Sequence, residues 1–194
     1  SNSRGERYNW VIDPIDGTTN FIHRTFPFAI SVGLLDGLEP LLGVIYEFGF
    51  NELFHAWKDG GAYLNGKAIQ TSAANTLSKS LIATGFPYTD YSRMDHFMDT
   101  IDWFMKNTAG LRRLGSAATD IAWVACGRYD GFYEYGLKPW DVAGGIAILK
   151  EAGGMSTNFK GRNDCIFSEE IICSNGKTHP EFVNTIKKIM YPQQ

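Results

Sequence analysis

The residues best suited to chemistry are acids set in turns beside small residues. In the run Trp10-Val11-Ile12-Asp13-Pro14-Ile15-Asp16-Gly17-Thr18-Thr19-Asn20-Phe21, a short apolar strand over 10–12 delivers Asp13. Pro14 bars a regular continuation and fixes its own backbone angle. Asp16 follows one turn later, so both carboxylates can converge at the strand's carboxyl end. Gly17, Thr18 and Thr19 can open a helix whose free N–H groups would point at an anion held between the acids. Hard oxygen donors beside an anion-accepting helix start are what a Mg²⁺–phosphate site requires. Read alone, the same Asp-Pro-x-Asp-Gly pattern also serves as an ordinary turn with a helix-capping Asp.

A second segment, Lys138-Pro139-Trp140-Asp141-Val142-Ala143-Gly144-Gly145, carries Asp141. It falls in the first turn of an expected helix, beside an aromatic ring and followed by residues too small to crowd a ligand. An Asp there also interacts favourably with the helix dipole without any ligand. Glu134 ends an aromatic strand, where spacing leaves open a costly buried acid or an exposed edge residue. Cys126 reads as helix core and His23 as a surface or helix residue, so neither is a nucleophile or base.

The elements that must position these acids fall into two halves, about 8–75 and 76–194, of one domain. Strands at 28–36, 40–48 and about 52–58, with turns at Asp36-Gly37 and Gly60-Gly61, form an antiparallel meander. The second half alternates: a strand at 80–84, a helix near 92–107, a strand at 111–114, and a helix over 117–126 capped by Gly115-Ser116. A strand at 129–135, a helix from Pro139 to Ala152, a strand near 170–174 and a helix at 179–190 follow. That order predicts helices packed on a sheet.

With 44% hydrophobic residues in 194, the chain can bury a sizeable core, and its net charge of −3 with scattered Lys and Arg argues against a nucleic-acid-binding surface. Three cysteines without CxxC spacing disfavour a disulfide framework or a zinc site, and point to a reducing cytoplasm. No apolar run is long enough to span a bilayer.

At this point the residues resemble a known family. WVIDPIDGTTNFIH (10–23) is similar to the first signature of the inositol monophosphatase family, and WDVAGGIAILKEAGG (140–154) to its second. ATGFP (83–87), RRLGSAATDIAWVACGRYDGFYEYG (112–136) and the turn 60–66 also look like bacterial members. The resemblance implies an αβαβα layered α/β (α+β) sandwich, usually dimeric, that hydrolyses phosphate monoesters with Mg²⁺. It implies that Asp13 bridges two metal ions, that the Ile15 carbonyl ligates one, and that Asp16 and Asp141 hold the other. Gly17 and Thr18 would bind phosphate through backbone N–H groups, with the Thr18 hydroxyl positioning the attacking water. Gly115, Ser116 and Ala117 would line the substrate pocket, Glu134 would accept hydrogen bonds from polyol hydroxyls, and Arg112 would also reach the substrate. Thr19, where nucleotide-directed members typically carry Lys, favours myo-inositol monophosphate; fructose-1,6-bisphosphate and a catalytically silent dimeric scaffold are the alternatives. Longer members precede the first signature with a helical region ending in a Gly-Glu-Glu metal-binding segment. Here Glu6 is the sole acid before Asp13, so the expectation is a chain whose beginning is missing.

Overall fold

The computed structural model describes residues 7–192, which leaves Glu6 outside the described part. Its first strand runs farther than the sequence suggested. β1 spans Tyr8–Asp16 and passes through Pro14. This is possible because β1 is an edge strand of its sheet and its register against β2 (Ala29–Asp36) shifts between Asp13 and Asp16. At an edge irregularity, a residue without an N–H forfeits no ladder bond. A single turn of helix, α1 (Thr18–Ile22), follows at once.

The meander continues with β3 (Glu39–Glu47), β4 (Glu52–Trp57), β5 (Ala62–Leu64) and β6 (Lys67–Ala68), giving a six-stranded antiparallel sheet in sequence order. After a 3-10 turn at Leu77–Lys79 come β7 (Leu81–Thr84), α2 (Met94–Asn107), β8 (Gly110–Arg112), α3 (Ala117–Ala125) and β9 (Gly131–Tyr135). α4 (Pro139–Glu151), β10 (Met155–Thr157), β11 (Glu170–Ser174) and α5 (His179–Met190) complete the chain. The second sheet is mixed, ordered β10-β11-β9-β7-β8, with β7 parallel to both β8 and β9.

Burial explains the layering. All nine residues of α3 are buried, as is α4 from Val142 to Leu149. Helices apolar all round must be covered on every side, so α3 and α4 lie between the two sheets. The alternate residues Ala29, Ile45, Phe54 and Ala56 of the first sheet close over them. α2 and α5 are amphipathic instead and bury Phe97, Phe104, Phe182 and Ile186 against the far side of the second sheet, around Tyr133 and Ile172. The approach of α4 to the first sheet is close: a Cβ on Gly43 would sit 2.1 Å from the Gly144 carbonyl oxygen, so glycine at 43 is a condition of that contact.

The α+β sandwich matches expectation. Among the described residues no helix covers the outer face of the first sheet, where Tyr8, Trp10, Ile12, Ile30, Leu53 and Trp57 are exposed. The fifth layer of an αβαβα arrangement is therefore not among these elements. No described helix is long and apolar enough to cross a membrane.

Candidate metal centre and active-site cavity

Two chain segments bring three acids together at the carboxyl end of β1. Asp13 and Asp16 arrive from the irregular end of that strand and Asp141 from the first turn of α4. One carboxylate oxygen of each lies within 4.8 Å of those of the other two. Each acid is held by its surroundings. Asp13 Oδ1 accepts a bond from the Ile15 N–H at 2.9 Å. Asp141 Oδ2 accepts from the Lys138 N–H at 2.7 Å, which locks it at the helix start. Asp16 is 7% exposed, and its Oδ2 accepts from the Ser116 hydroxyl and from the Ala118 N–H.

Burial raises all three acids: Asp13 above its usual range, Asp141 to about 6 and Asp16 to about 7. The neighbouring acids add to the rise at Asp16 and Asp141, because like charges at this separation disfavour one another. A divalent cation removes that conflict. The donor set suits a hard one: three carboxylates, with no sulfur or imidazole among the clustered ligands.

Around this cluster opens a cavity of about 370 Å³, lined by Asp13, Ile15, Asp16, Gly17, Thr18 and Asp141 and also by Arg113, Glu134 and Tyr88. Gly17 sits at φ +81°, which turns the chain from strand into α1. The Thr18 hydroxyl donates to the Ile15 carbonyl at 2.8 Å, keeping both oxygens at the site. Asn20 donates from its amide nitrogen to the carbonyls of Pro27 and Leu114, tying α1 to the loop before α3. Sequence reasoning passed over Asn20.

Gly115 and Ala117 line the cavity, whereas Ser116 bonds Asp16 and is the N-cap of α3. Glu134 is buried in β9, an interior strand of the second sheet, and not an edge residue. Burial pushes its carboxyl well above the usual range, helped by the negative charges of Asp120 and Asp16. Arg112 points elsewhere: it is exposed and bonds the Leu111 carbonyl. Its neighbour Arg113 lines the cavity instead. Strand alternation could not separate the two, since β8 ends at Arg112 and the chain leaves the strand there. Cys126 is the half-buried C-cap of α3, and His23 is the exposed C-cap of α1.

The sequence profile of the Inositol monophosphatase family matches residues 1–191. The chain belongs to this family. An inositol-1-monophosphatase from Synechocystis is 43% identical over 176 residues, 89% of this chain and 60% of that protein. A protein named putative Nus factor SuhB from Neisseria meningitidis serogroup B is 41% identical over 179 residues, 92% of this chain and 69% of its own length. The chain thus spans roughly two thirds of the curated relatives it matches. The structure of inositol monophosphatase from Anabaena (Nostoc) superposes with a TM-score of 0.91 at 40% identity, over 94% of this chain and 74% of that one. In this inositol monophosphatase family chain, the two sequence signatures are the two segments that the fold brings together at the carboxylates.

Proposed function

We propose that the chain carries the Mg²⁺-dependent phosphomonoesterase site of its family, acting on a small phosphorylated polyol, with myo-inositol monophosphate the foremost substrate. The observation that carries this reading is the convergence of Asp13, Asp16 and Asp141 in the lining of one cavity. Asp13, Ile15, Asp16 and Asp141 would hold Mg²⁺, which when bound makes a water nucleophilic near neutral pH and stabilises charge on the phosphoryl group.

The protein's own groups do the rest. The Gly17 and Thr18 N–H groups orient the phosphoryl oxygens, and the Thr18 hydroxyl holds the attacking water in line. The water oxygen bonds to phosphorus as the ester P–O bond breaks, and the departing alkoxide takes a proton to leave as the free alcohol. Glu134 and the Gly115–Ala117 segment meet the polyol hydroxyls. A buried carboxyl that reads ring hydroxyls discriminates between polyols better than an apolar wall would.

The setting is a single domain in the cytoplasm, acting as a homodimer on the family resemblance. The net charge of −3 keeps nucleic acid out of the reading. Several relatives at similar identity are named Nus factor SuhB, so the family name alone does not fix the role of any one member. The substrate is tested by comparing kcat/KM for inositol 1-phosphate, fructose 1,6-bisphosphate and a nucleoside 2′-phosphate in Mg²⁺. The inositol ester is expected to lead the nucleotide by at least tenfold; a nucleotide preference would overturn the polyol reading.

A further inference from the structure

Part of the cavity wall is built from a segment with little backbone support of its own. Gly85, Pro87 and Tyr88 line the cavity, in the stretch between the end of β7 and the start of α2. Among the described residues, no backbone–backbone hydrogen bond ties 86–92 to another part of the chain, apart from the turn that opens α2. The position of this wall is nonetheless tightly bounded. A Cβ on Gly85 would lie 2.0 Å from Glu134 Oε2, so the wall begins against the buried carboxyl of the cavity.

Side chains hold the segment instead, and they converge on Glu170. This residue opens β11 directly opposite Tyr135 of β9. Its largely buried carboxylate pairs with the Arg93 guanidinium and accepts a hydrogen bond from the Tyr191 hydroxyl, just beyond α5. Arg93 Nη1 also donates to that hydroxyl at 3.2 Å, and its guanidinium carbon lies 4.6 Å from the Tyr135 ring centroid. The Tyr135 hydroxyl in turn donates to the Asp90 carbonyl at 3.0 Å. Arg93 thus meets a carboxylate, a hydroxyl and a ring, and it ends the segment that Gly85 begins. A guanidinium both paired and stacked is a rigid anchor. The neighbouring Glu169 pairs with Lys138, but both side chains are exposed, at 57% and 43%, so that pair contributes little.

We propose that Glu170, acting through Arg93 and Tyr191, is a positioning residue that fixes the 85–93 wall of the cavity and so tightens substrate binding without touching the substrate. The effect on substrate rests on the phosphomonoesterase reading above; the effect on the wall does not. A wall that meets ground state and transition state alike changes KM and leaves kcat.

The test measures inositol 1-phosphate hydrolysis in Mg²⁺, and amide hydrogen exchange, for wild type and five variants. These are Glu170→Gln, Arg93→Gln, their double variant, Tyr191→Phe and Glu169→Gln. Glu170→Gln and Arg93→Gln should each raise KM by about fivefold, with kcat and the Mg²⁺ requirement kept. The double variant should be no worse than either single one, because both remove the same interaction. Tyr191→Phe keeps the ring and should raise KM less, and it carries the test if a Gln variant unfolds. Glu169→Gln should leave KM unchanged. Exchange should quicken within 86–93 and stay as in wild type in α3 and α4. Additive losses in the double variant, a fall in kcat at constant KM, a KM unchanged throughout or an equal rise in Glu169→Gln would overturn the proposal. So would exchange that quickens everywhere or nowhere. If wild type hydrolyses no phosphate ester, the phosphatase reading fails alone, and exchange within 86–93 then decides whether Glu170 fixes the wall.

Discussion

The Ser116 hydroxyl donates a hydrogen bond to Asp16 Oδ2 across 100 residues of sequence, joining the cap of α3 to a carboxylate of the acidic cluster. The same hydroxyl oxygen accepts from the Thr119 N–H, so one side chain both starts a helix between the sheets and steers an acid at its end. The Ala118 N–H, 2.9 Å from the same Asp16 oxygen, completes the link.

Replacing Ser116 by Ala should therefore cost both stability and metal affinity. Losing a buried bond to a carboxylate and a helix cap is worth about 2 to 3 kcal/mol. The Ser116 bond also lowers the Asp16 carboxyl, which already sits at about 7, so its loss raises that value further and leaves less carboxylate at neutral pH. Denaturant unfolding with and without Mg²⁺ checks this: both midpoints fall, and the Mg²⁺-induced gain shrinks.

Metal binding should depend on pH in the same range. Asp141 at about 6 and Asp16 at about 7 must lose protons to ligate a cation, so Mg²⁺ stabilisation grows as pH rises from 5 to 8. Without Mg²⁺ the sign reverses. A carboxyl raised in the folded state contributes stability that is complete below its unfolded value of 3.8 and is lost as pH rises through about 7. Thermal melts over that range, with Mg²⁺ and with chelator, should diverge on the alkaline side. Asp16→Asn should remove most of the divergence, and parallel curves in wild type would speak against a cation site.

His179 sets a separate, acid-side limit. Its ring is buried between the hydroxyls of Ser174, 2.8 Å from Nδ1, and Thr157, 3.0 Å from Nε2. Desolvation lowers it from 6.5 to about 4. A group lowered in this way contributes stability present above 6.5 and lost as pH falls toward 4, amounting to about 3 kcal/mol at most. His179→Asn should lower stability at pH 7 and flatten the decline between pH 6.5 and 4. An unchanged acid limb would show that the ring is not held neutral.

Much of this was legible from local rules. Local pattern placed α2, α4 and α5 within about two residues of their bounds, with Pro139 and Gly153 bracketing α4 and Pro180 opening α5. β6 and β10, two and three residues long, carry too little pattern to be seen without their partners. Pro14 looked like a strand end because tolerance of proline depends on edge position, which is a property of the sheet. Asp13, Asp16 and Asp141 could be named, since their signatures are local, whereas Arg113 was masked by Arg112 where the strand gives way to a loop. Ser116 was placed in the pocket by resemblance; its bond to Asp16 depends on how α3 lies between the sheets.

The most direct test of the central claim is phosphate release from inositol 1-phosphate with Mg²⁺ and with chelator. It is measured for the wild-type protein beside its Asp141→Asn variant. The account predicts release that requires Mg²⁺ and falls by at least a hundredfold in Asp141→Asn. Release that is indifferent to chelator, or that survives Asp141→Asn, would contradict it.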